Sequence, residues 1–112
     1  MDLEGKTALV TDGSGDIGGM IAKALAAAGA DVAISYVGRL EGATTIVNAV
    51  QVAGRRSLAV QLDQRDPGAI DAAVERVVRE FRRVDILVNN AAWNIGIPLA
   101  SITASATFGH LE

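Results

Sequence analysis

Short apolar runs recur along the chain and alternate with segments of helical periodicity. The runs TALVT (7–11), DVAISY (31–36), SLAVQL (57–62) and VDILVN (84–89) are nearly continuous and rich in β-branched residues. This pattern is typical of parallel strands that are buried on both faces. The three intervening segments repeat their apolar positions every three or four residues, which indicates helices. The predicted element order is therefore β-α-β-α-β-α-β.

The ends of the predicted helices carry recognisable signals. The first two helical segments end at Gly29 and Gly54, and glycine favours helix termination. The third begins with Asp66, a good N-cap, followed by Pro67, which suits the first turn. Its apolar stripe consists of Ile70, Val74, Val77 and Phe81.

Alternating strands and helices of this length predict an open, doubly wound α/β fold. Right-handed crossovers favour a parallel sheet of about four strands in the order 3-2-1-4. Ligands of such sheets bind outside the carboxyl ends of the strands, at the point where the strand order reverses. In this chain that point is the crevice between the first and fourth strands.

Composition and charge narrow the classes of partner. Half of the 112 residues are apolar, the formal net charge is −3 and the chain has no cysteine. An acidic chain lacks the excess positive charge that binds nucleic acid or an anionic membrane surface. Without cysteine it can form no disulfide bonds. We also find no signal segment and no apolar run of about 18 residues, so a cytoplasmic location is the default expectation.

Several motifs together resemble one enzyme family. KTALVTDGSGDIGG, AKALAAAGADVAISY, LAVQLDQRDP and VDILVNNAA are similar to the first half of a short-chain dehydrogenase/reductase, over about residues 3–98. The resemblance implies a Rossmann-like fold and an oxidoreductase that uses NADP or NAD. On this interpretation residues 1–98 form the dinucleotide-binding half, residues 99–112 form an atypical tail, and the chain is a truncated form.

The resemblance places a cofactor-binding loop directly after the first strand. The family pattern T-G-x-x-x-G-I-G matches at Thr11, Ile17 and Gly18, whereas Asp12 and Asp16 replace two of its glycines. In a second possible alignment, glycines of this loop form G-x-G-x-x-G, which is a weak signal by itself. The implied loop ligands are Thr11, Gly13, Ser14, Asp16, Ile17 and Gly18.

Asp16 opposes a bound phosphate at this loop. We expect it to be the N-cap of a helix that begins at Ile17, with its carboxylate in the phosphate position. Two unit charges about 5 Å apart repel by roughly 3 kcal/mol at an effective dielectric constant of about 20. A helix N-terminus stabilises an anion by only about 0.3 to 1 kcal/mol. Binding of the cofactor by this chain is therefore doubtful.

The remaining cofactor contacts are implied by the resemblance alone. The end of the second strand has no acidic residue for a ribose hydroxyl, and Ser35 and Arg39 would instead hold the 2′-phosphate of NADP. Asp63 would contact the adenine, and Asn89 and Ala91 would flank the adenosine. No metal site is predicted.

No catalytic residue can be placed. The family reaction requires a Tyr with a Lys four residues later and a Ser, but the single tyrosine, Tyr36, is followed at that spacing by Leu40. Three functions therefore remain open: part of an NAD(P)-dependent oxidoreductase, a non-catalytic nucleotide-binding module, or a structural or engineered scaffold whose phosphate site is closed by Asp12 and Asp16. We also expect a homo-oligomer that buries an uncovered face of the sheet.

Overall fold

The computed structural model describes residues 2–12, 15–38, 40–63 and 65–90. Strands and helices alternate in the predicted order. They are β1 (Thr7–Val10), α1 (Asp16–Ala27), β2 (Asp31–Tyr36), α2 (Leu40–Val52), β3 (Ser57–Gln61), α3 (Pro67–Phe81) and β4 (Ile86–Val88). The predicted runs for β1, β3 and β4 were slightly longer than the observed strands.

The four strands form one parallel sheet in the order β3-β2-β1-β4, which confirms the predicted topology. Val10, the last residue of β1, pairs with Ile34 of β2 and Val88 of β4. The carboxyl ends of these three strands therefore lie at the same level. The loops that follow these strands meet at the carboxyl end of the sheet.

Helices cover both faces of the sheet. On one face, α1 and α2 pack through Ala22, Ala26, Ile46 and other small or aliphatic residues onto inward-facing side chains such as Ile34. On the other face, Val77 and Phe81 of α3 pack against β1 and β2. Because side chains alternate between the two faces of a strand, adjacent residues of each strand serve different helical layers.

The predicted helix signals of α3 are confirmed. The Asp66 carboxylate accepts a hydrogen bond of 3.0 Å from the backbone N–H of Gly68, and proline occupies the first turn. Val77 and Phe81 are buried, whereas Ile70 and Val74, at the start of the stripe, are half-buried.

The predicted start of α1 is wrong by one residue. Gly15 is the N-cap and makes no side-chain capping bond, while Asp16 is the first residue of the helix. Asp16 therefore does not cap α1. The physical reason is that Gly15 keeps an extended backbone while its carbonyl oxygen already accepts the first intrahelical hydrogen bond, from the N–H of Gly19 at 2.7 Å.

Four predicted site residues, Gly13, Ser14, Arg39 and Ala91, lie outside the described residues, as does the predicted tail at 99–112. Among the helices that are described, none has the length and apolar character needed to cross a membrane.

Candidate functional site

Thr11 joins the two sides of the crevice between β1 and β4. Its backbone N–H donates to the carbonyl oxygen of Val88 at 2.9 Å, and its hydroxyl oxygen accepts from the N–H of Asn90 at 2.8 Å. The same hydroxyl lies 3.3 Å from the side-chain oxygen of Asn89. The loop after β1 is thus fastened to the segment after β4, as the predicted switch point requires.

The residue after Thr11 makes a left-handed turn. Asp12 has a φ of 53°, in the region that favours glycine, and the family pattern has a glycine at this position. Aspartate is among the few side-chain-bearing residues that tolerate this conformation. The backbone therefore agrees with the T-G-x-x-x-G-I-G alignment even though the glycine is missing.

The Asp12 carboxylate lies beside the entrance to α1. A Cβ placed on Gly15 would be 3.7 Å from Oδ2 of Asp12. Partial burial of Asp12 disfavours its charged form and raises its pKa above the usual value. The Asp12 carboxyl group thus lies next to the amino end of α1.

The amino end of α1 presents a second carboxylate. Asp16 is exposed in the first turn, Ile17 is 67% exposed, and Gly18 is buried. The first backbone N–H groups of a helix have no partner inside it, and they attract anions together with the helix dipole. This end could hold a phosphate group, but Asp16 places a like charge in the same region.

Ser35 is buried between β2 and the loop after β1 and does not face the solvent. It is only 2% exposed, and its hydroxyl oxygen accepts a 2.9 Å hydrogen bond from the backbone N–H of Asp12. The structure thus gives the Ser35 hydroxyl a partner inside the chain. The 2′-phosphate contact implied by the resemblance stays a prediction.

Asp63 follows the carboxyl end of β3, as expected, and is paired. Its carboxylate accepts hydrogen bonds from the side chain and the backbone N–H of Arg65, which lower the pKa of Asp63 to about 2. The carboxylate is therefore ionised at neutral pH. Its predicted contact with an adenine remains a prediction.

Sequence reasoning missed how Ser35 and Asn90 hold the loop. Ser35 contacts a residue 23 positions away, and the Asn90 side chain donates at 3.4 Å to the carbonyl oxygen of Asp12, 78 positions away. No local pattern signals such pairs. The strand order was the one available clue, because it brings β2 and β4 to either side of β1.

The described residues around the crevice have groups that could bind an anion. The amino end of α1 supplies backbone N–H groups for an anion, whereas the N–H groups of Asp12 and Gly15 already donate to the Ser35 hydroxyl and to the carbonyl oxygen of Asp12. Among the residues that the structure describes, no group of three or more His, Cys, Asp or Glu side chains could hold a metal ion.

Comparisons with known proteins agree with this geometry. A family model described as short chain dehydrogenase matches residues 6–110. The chain is 45% identical over 89 residues to an uncharacterized oxidoreductase of Methylorubrum extorquens. The aligned region covers 80% of this chain and 36% of that protein.

Two solved structures extend the comparison to cofactor complexes. A short chain dehydrogenase from Burkholderia cenocepacia in complex with NADP is 46% identical, with a TM-score of 0.79 over 96% of this chain and 46% of that one. An NAD⁺-bound xylitol dehydrogenase is 30% identical, with a TM-score of 0.78 over 83% of this chain and 35% of that one. The chain spans little more than a third of the length of the curated relatives it matches.

Proposed function

The chain belongs to the short chain dehydrogenase family and matches its N-terminal half, and from this premise we propose that it forms the NADP-binding half of an oxidoreductase. NADP or NAD would supply hydride transfer when bound. The residues of this chain would bind and orient the dinucleotide, and they would not perform the proton transfers of the reaction.

One observation carries this proposal: the left-handed turn at Asp12 lies beside Gly15, the N-cap of α1, at the crevice where Thr11 is hydrogen-bonded to Asn90. Such a turn allows the backbone to approach a pyrophosphate, and the helix end offers the N–H groups that bind it. The described turn and helix end support a site for a dinucleotide on this side of the crevice.

The charges of the loop fit less well. Asp12 and Asp16 both lie near the helix end, where the pyrophosphate would be. Each carboxylate repels an anion more strongly than the helix dipole attracts it. We therefore propose that binding is weak, with the affinity limited by charge rather than by backbone shape.

The sequence also lacks a Tyr and Lys at the spacing that the family reaction requires. Tyr36 is followed four residues later by Leu40, and the only lysines are Lys6 and Lys23. The purified 112-residue chain is expected to show no cofactor-dependent change in absorbance at 340 nm with alcohol or carbonyl substrates. A rate above that of a protein-free control would contradict this expectation.

Calorimetric titration with NADPH tests the proposed function. The parent chain should bind weakly, and the double variant Asp12→Gly/Asp16→Gly should bind more tightly because both carboxylates are removed. Adenosine is the control ligand: it lacks phosphate, so its affinity should be similar in both proteins. If the double variant binds NADPH no better than the parent, the two carboxylates are not what limits binding.

A second candidate function is a non-catalytic scaffold whose phosphate position is filled by its own carboxylates. The observation that favours it is the position of Asp16 as an exposed acid in the first turn of α1. The same titration separates the two functions. A scaffold closed by its own carboxylates would show no binding of NADPH in the parent, whereas a cofactor-binding half would bind it weakly; the double variant, whose phosphate position is open, should bind NADPH in either case.

A further inference from the structure

The turn at Asp12 requires support from outside the loop. Its φ of 53° is a conformation that side-chain-bearing residues adopt at a cost in free energy. Such a conformation persists only where surrounding contacts determine it.

Both polar groups of the Asp12 backbone are held by hydrogen bonds. The N–H donates at 2.9 Å to the hydroxyl of Ser35, at the carboxyl end of β2. The carbonyl oxygen accepts from the N–H of Gly15 at 3.3 Å and from the side chain of Asn90, after β4, at 3.4 Å. The turn is therefore held between the two strands that flank β1. The bond that the Ser35 hydroxyl oxygen accepts is the shortest of the three, and it is the one in which the Asp12 N–H is the donor.

We infer that Ser35 is a positioning residue for the loop: its buried hydroxyl holds the Asp12 turn and thereby sets the affinity of the loop for a dinucleotide. This inference rests on the proposed function. Ser35 acts through the Asp12 peptide and does not touch the ligand, since a side chain that is 2% exposed and already bonded to Asp12 lies behind the loop. The role differs from the direct 2′-phosphate contact implied by the resemblance.

The chain provides a matched control for the hydroxyl. Ser57 donates a 2.7 Å hydrogen bond to the carbonyl oxygen of Val32, and so it also joins a side chain to the backbone of a neighbouring strand. Ser57 begins β3, at the opposite end of the sheet from the loop. Ser35→Ala and Ser57→Ala each remove one hydroxyl, but only the first removes a bond to the turn.

Amide hydrogen exchange, followed by NMR without cofactor, tests the structural half of the inference. Ser35→Ala should speed exchange of the Asp12 amide by about five- to tenfold, the factor that corresponds to one net hydrogen bond. Ser35→Thr, which keeps the hydroxyl, should restore slow exchange, and Ser57→Ala should leave the Asp12 amide unchanged. Unchanged exchange in Ser35→Ala would overturn the inference, whatever NADPH does.

NADPH titration tests the functional half, in an Asp16→Asn background that removes one repelling charge. Adding Ser35→Ala should weaken binding by about five- to tenfold, again the equivalent of one hydrogen bond. When the same comparison is made in an Asp12→Gly/Asp16→Asn background, Ser35→Ala should weaken binding much less, because glycine adopts the turn without support. Equal affinity with and without Ser35→Ala would overturn the inference.

The two measurements also separate this inference from the proposed function. If exchange responds as expected but no variant binds NADPH, the proposed function fails, and the claim that Ser35 sets dinucleotide affinity is overturned with it. If the Asp16→Asn protein binds NADPH but exchange at Asp12 ignores Ser35, the proposed function stands and the inference alone fails.

Discussion

At the scale of single residues, the two aspartates of the loop differ in their surroundings although both replace family glycines. Asp12 is partly buried in a left-handed turn and its pKa is raised by burial, whereas Asp16 is exposed in the first turn of α1. Asp12 therefore affects the loop through its backbone conformation as well as through its charge. Asp16 affects it mainly through its charge.

Asp16→Asn should raise the affinity for NADPH and lower stability. Removing the charge relieves repulsion equivalent to about ten- to a hundredfold in affinity. It also removes a favourable interaction with the helix dipole, at a cost of about 0.3 to 1 kcal/mol in the free energy of unfolding. Titration and urea denaturation measure the two effects. Asp71→Asn, an exposed acid on α3, is the control and should leave NADPH affinity unchanged.

A second left-handed residue lies at the end of α3. Arg82 has a φ of 76° in the C-cap, where glycine is preferred, so Arg82→Gly should stabilise the protein by about 0.5 to 1 kcal/mol. Arg79→Gly makes the same substitution three residues earlier, inside the helix, and should destabilise it by about 1 kcal/mol. Urea denaturation of both variants checks the signs. Destabilisation by Arg82→Gly would show that its side chain contributes more than the backbone conformation costs.

At the scale of elements, sequence patterns were most successful where local preference and tertiary contacts agree. The apolar runs predicted the four strands, and crossover handedness predicted the order β3-β2-β1-β4. Asp66 and Pro67 predicted the start of α3 because that start is determined by its own residues.

Local patterns were insufficient for the start of α1 and for the contacts of the site. Aspartate is a strong N-cap by preference, yet Gly15 takes that position, since its carbonyl oxygen accepts the first intrahelical bond. The turn at Asp12 is held by Ser35 on β2 and by Asn90 after β4. A contact between residues far apart in the chain leaves no periodic signal near either of them. The crevice could therefore be located from the sequence, but not the bonds that shape it.

The cap of α3 offers a direct test at this scale. Asp66→Ala removes the acceptor for the Gly68 N–H and should cost about 1 kcal/mol in the free energy of unfolding. Asp66→Ser should keep most of the stability, because serine is also a good N-cap. Denaturation curves for the two variants measure the difference. Equal losses would show that the carboxylate matters for a reason other than capping.

At the scale of the whole molecule, a carboxylate at the amino end of β2 makes stability depend on pH. Asp31 is buried, which opposes its ionisation, but the backbone N–H and guanidinium of Arg56 and the side chain of Arg55 outweigh burial and lower its pKa. The folded state therefore binds this proton less tightly than the unfolded state. The stabilisation is present above the unfolded pKa of about 3.9 and is lost as the pH falls through the folded value.

Asp31→Asn should reduce this dependence. The variant should lose about 1 to 2 kcal/mol at pH 7, because a charge-assisted contact to partly exposed arginines is removed. It should then lose less stability than the parent between pH 5 and pH 2. Urea denaturation across that range measures both curves, and parallel curves would contradict the role of Asp31. Asp71→Asn, which is exposed, serves as the control.

Association between copies is the remaining property of the whole molecule. Every residue of β1 is buried, whereas Ile86, Leu87 and Val88 of β4, at the edge of the sheet, are only half-buried. On α1, Ile17 and Met20 are 67% and 70% exposed. Apolar surface of this kind favours association, so we expect at least a dimer at micromolar concentration.

Substitutions on α1 locate that contact. Burying an apolar side chain contributes about 1.5 to 3 kcal/mol, so Met20→Lys should weaken association by about tenfold or more if this surface is used. Val52→Lys is the matched control: Val52 is 89% exposed but ends α2, away from β4. Light scattering over a range of concentrations measures the mass of each protein. A monomer mass for the parent would contradict the dimer. A lysine at either position adds the same charge, but only Met20 lies on α1. Equal weakening by both variants would therefore place the contact elsewhere than on α1.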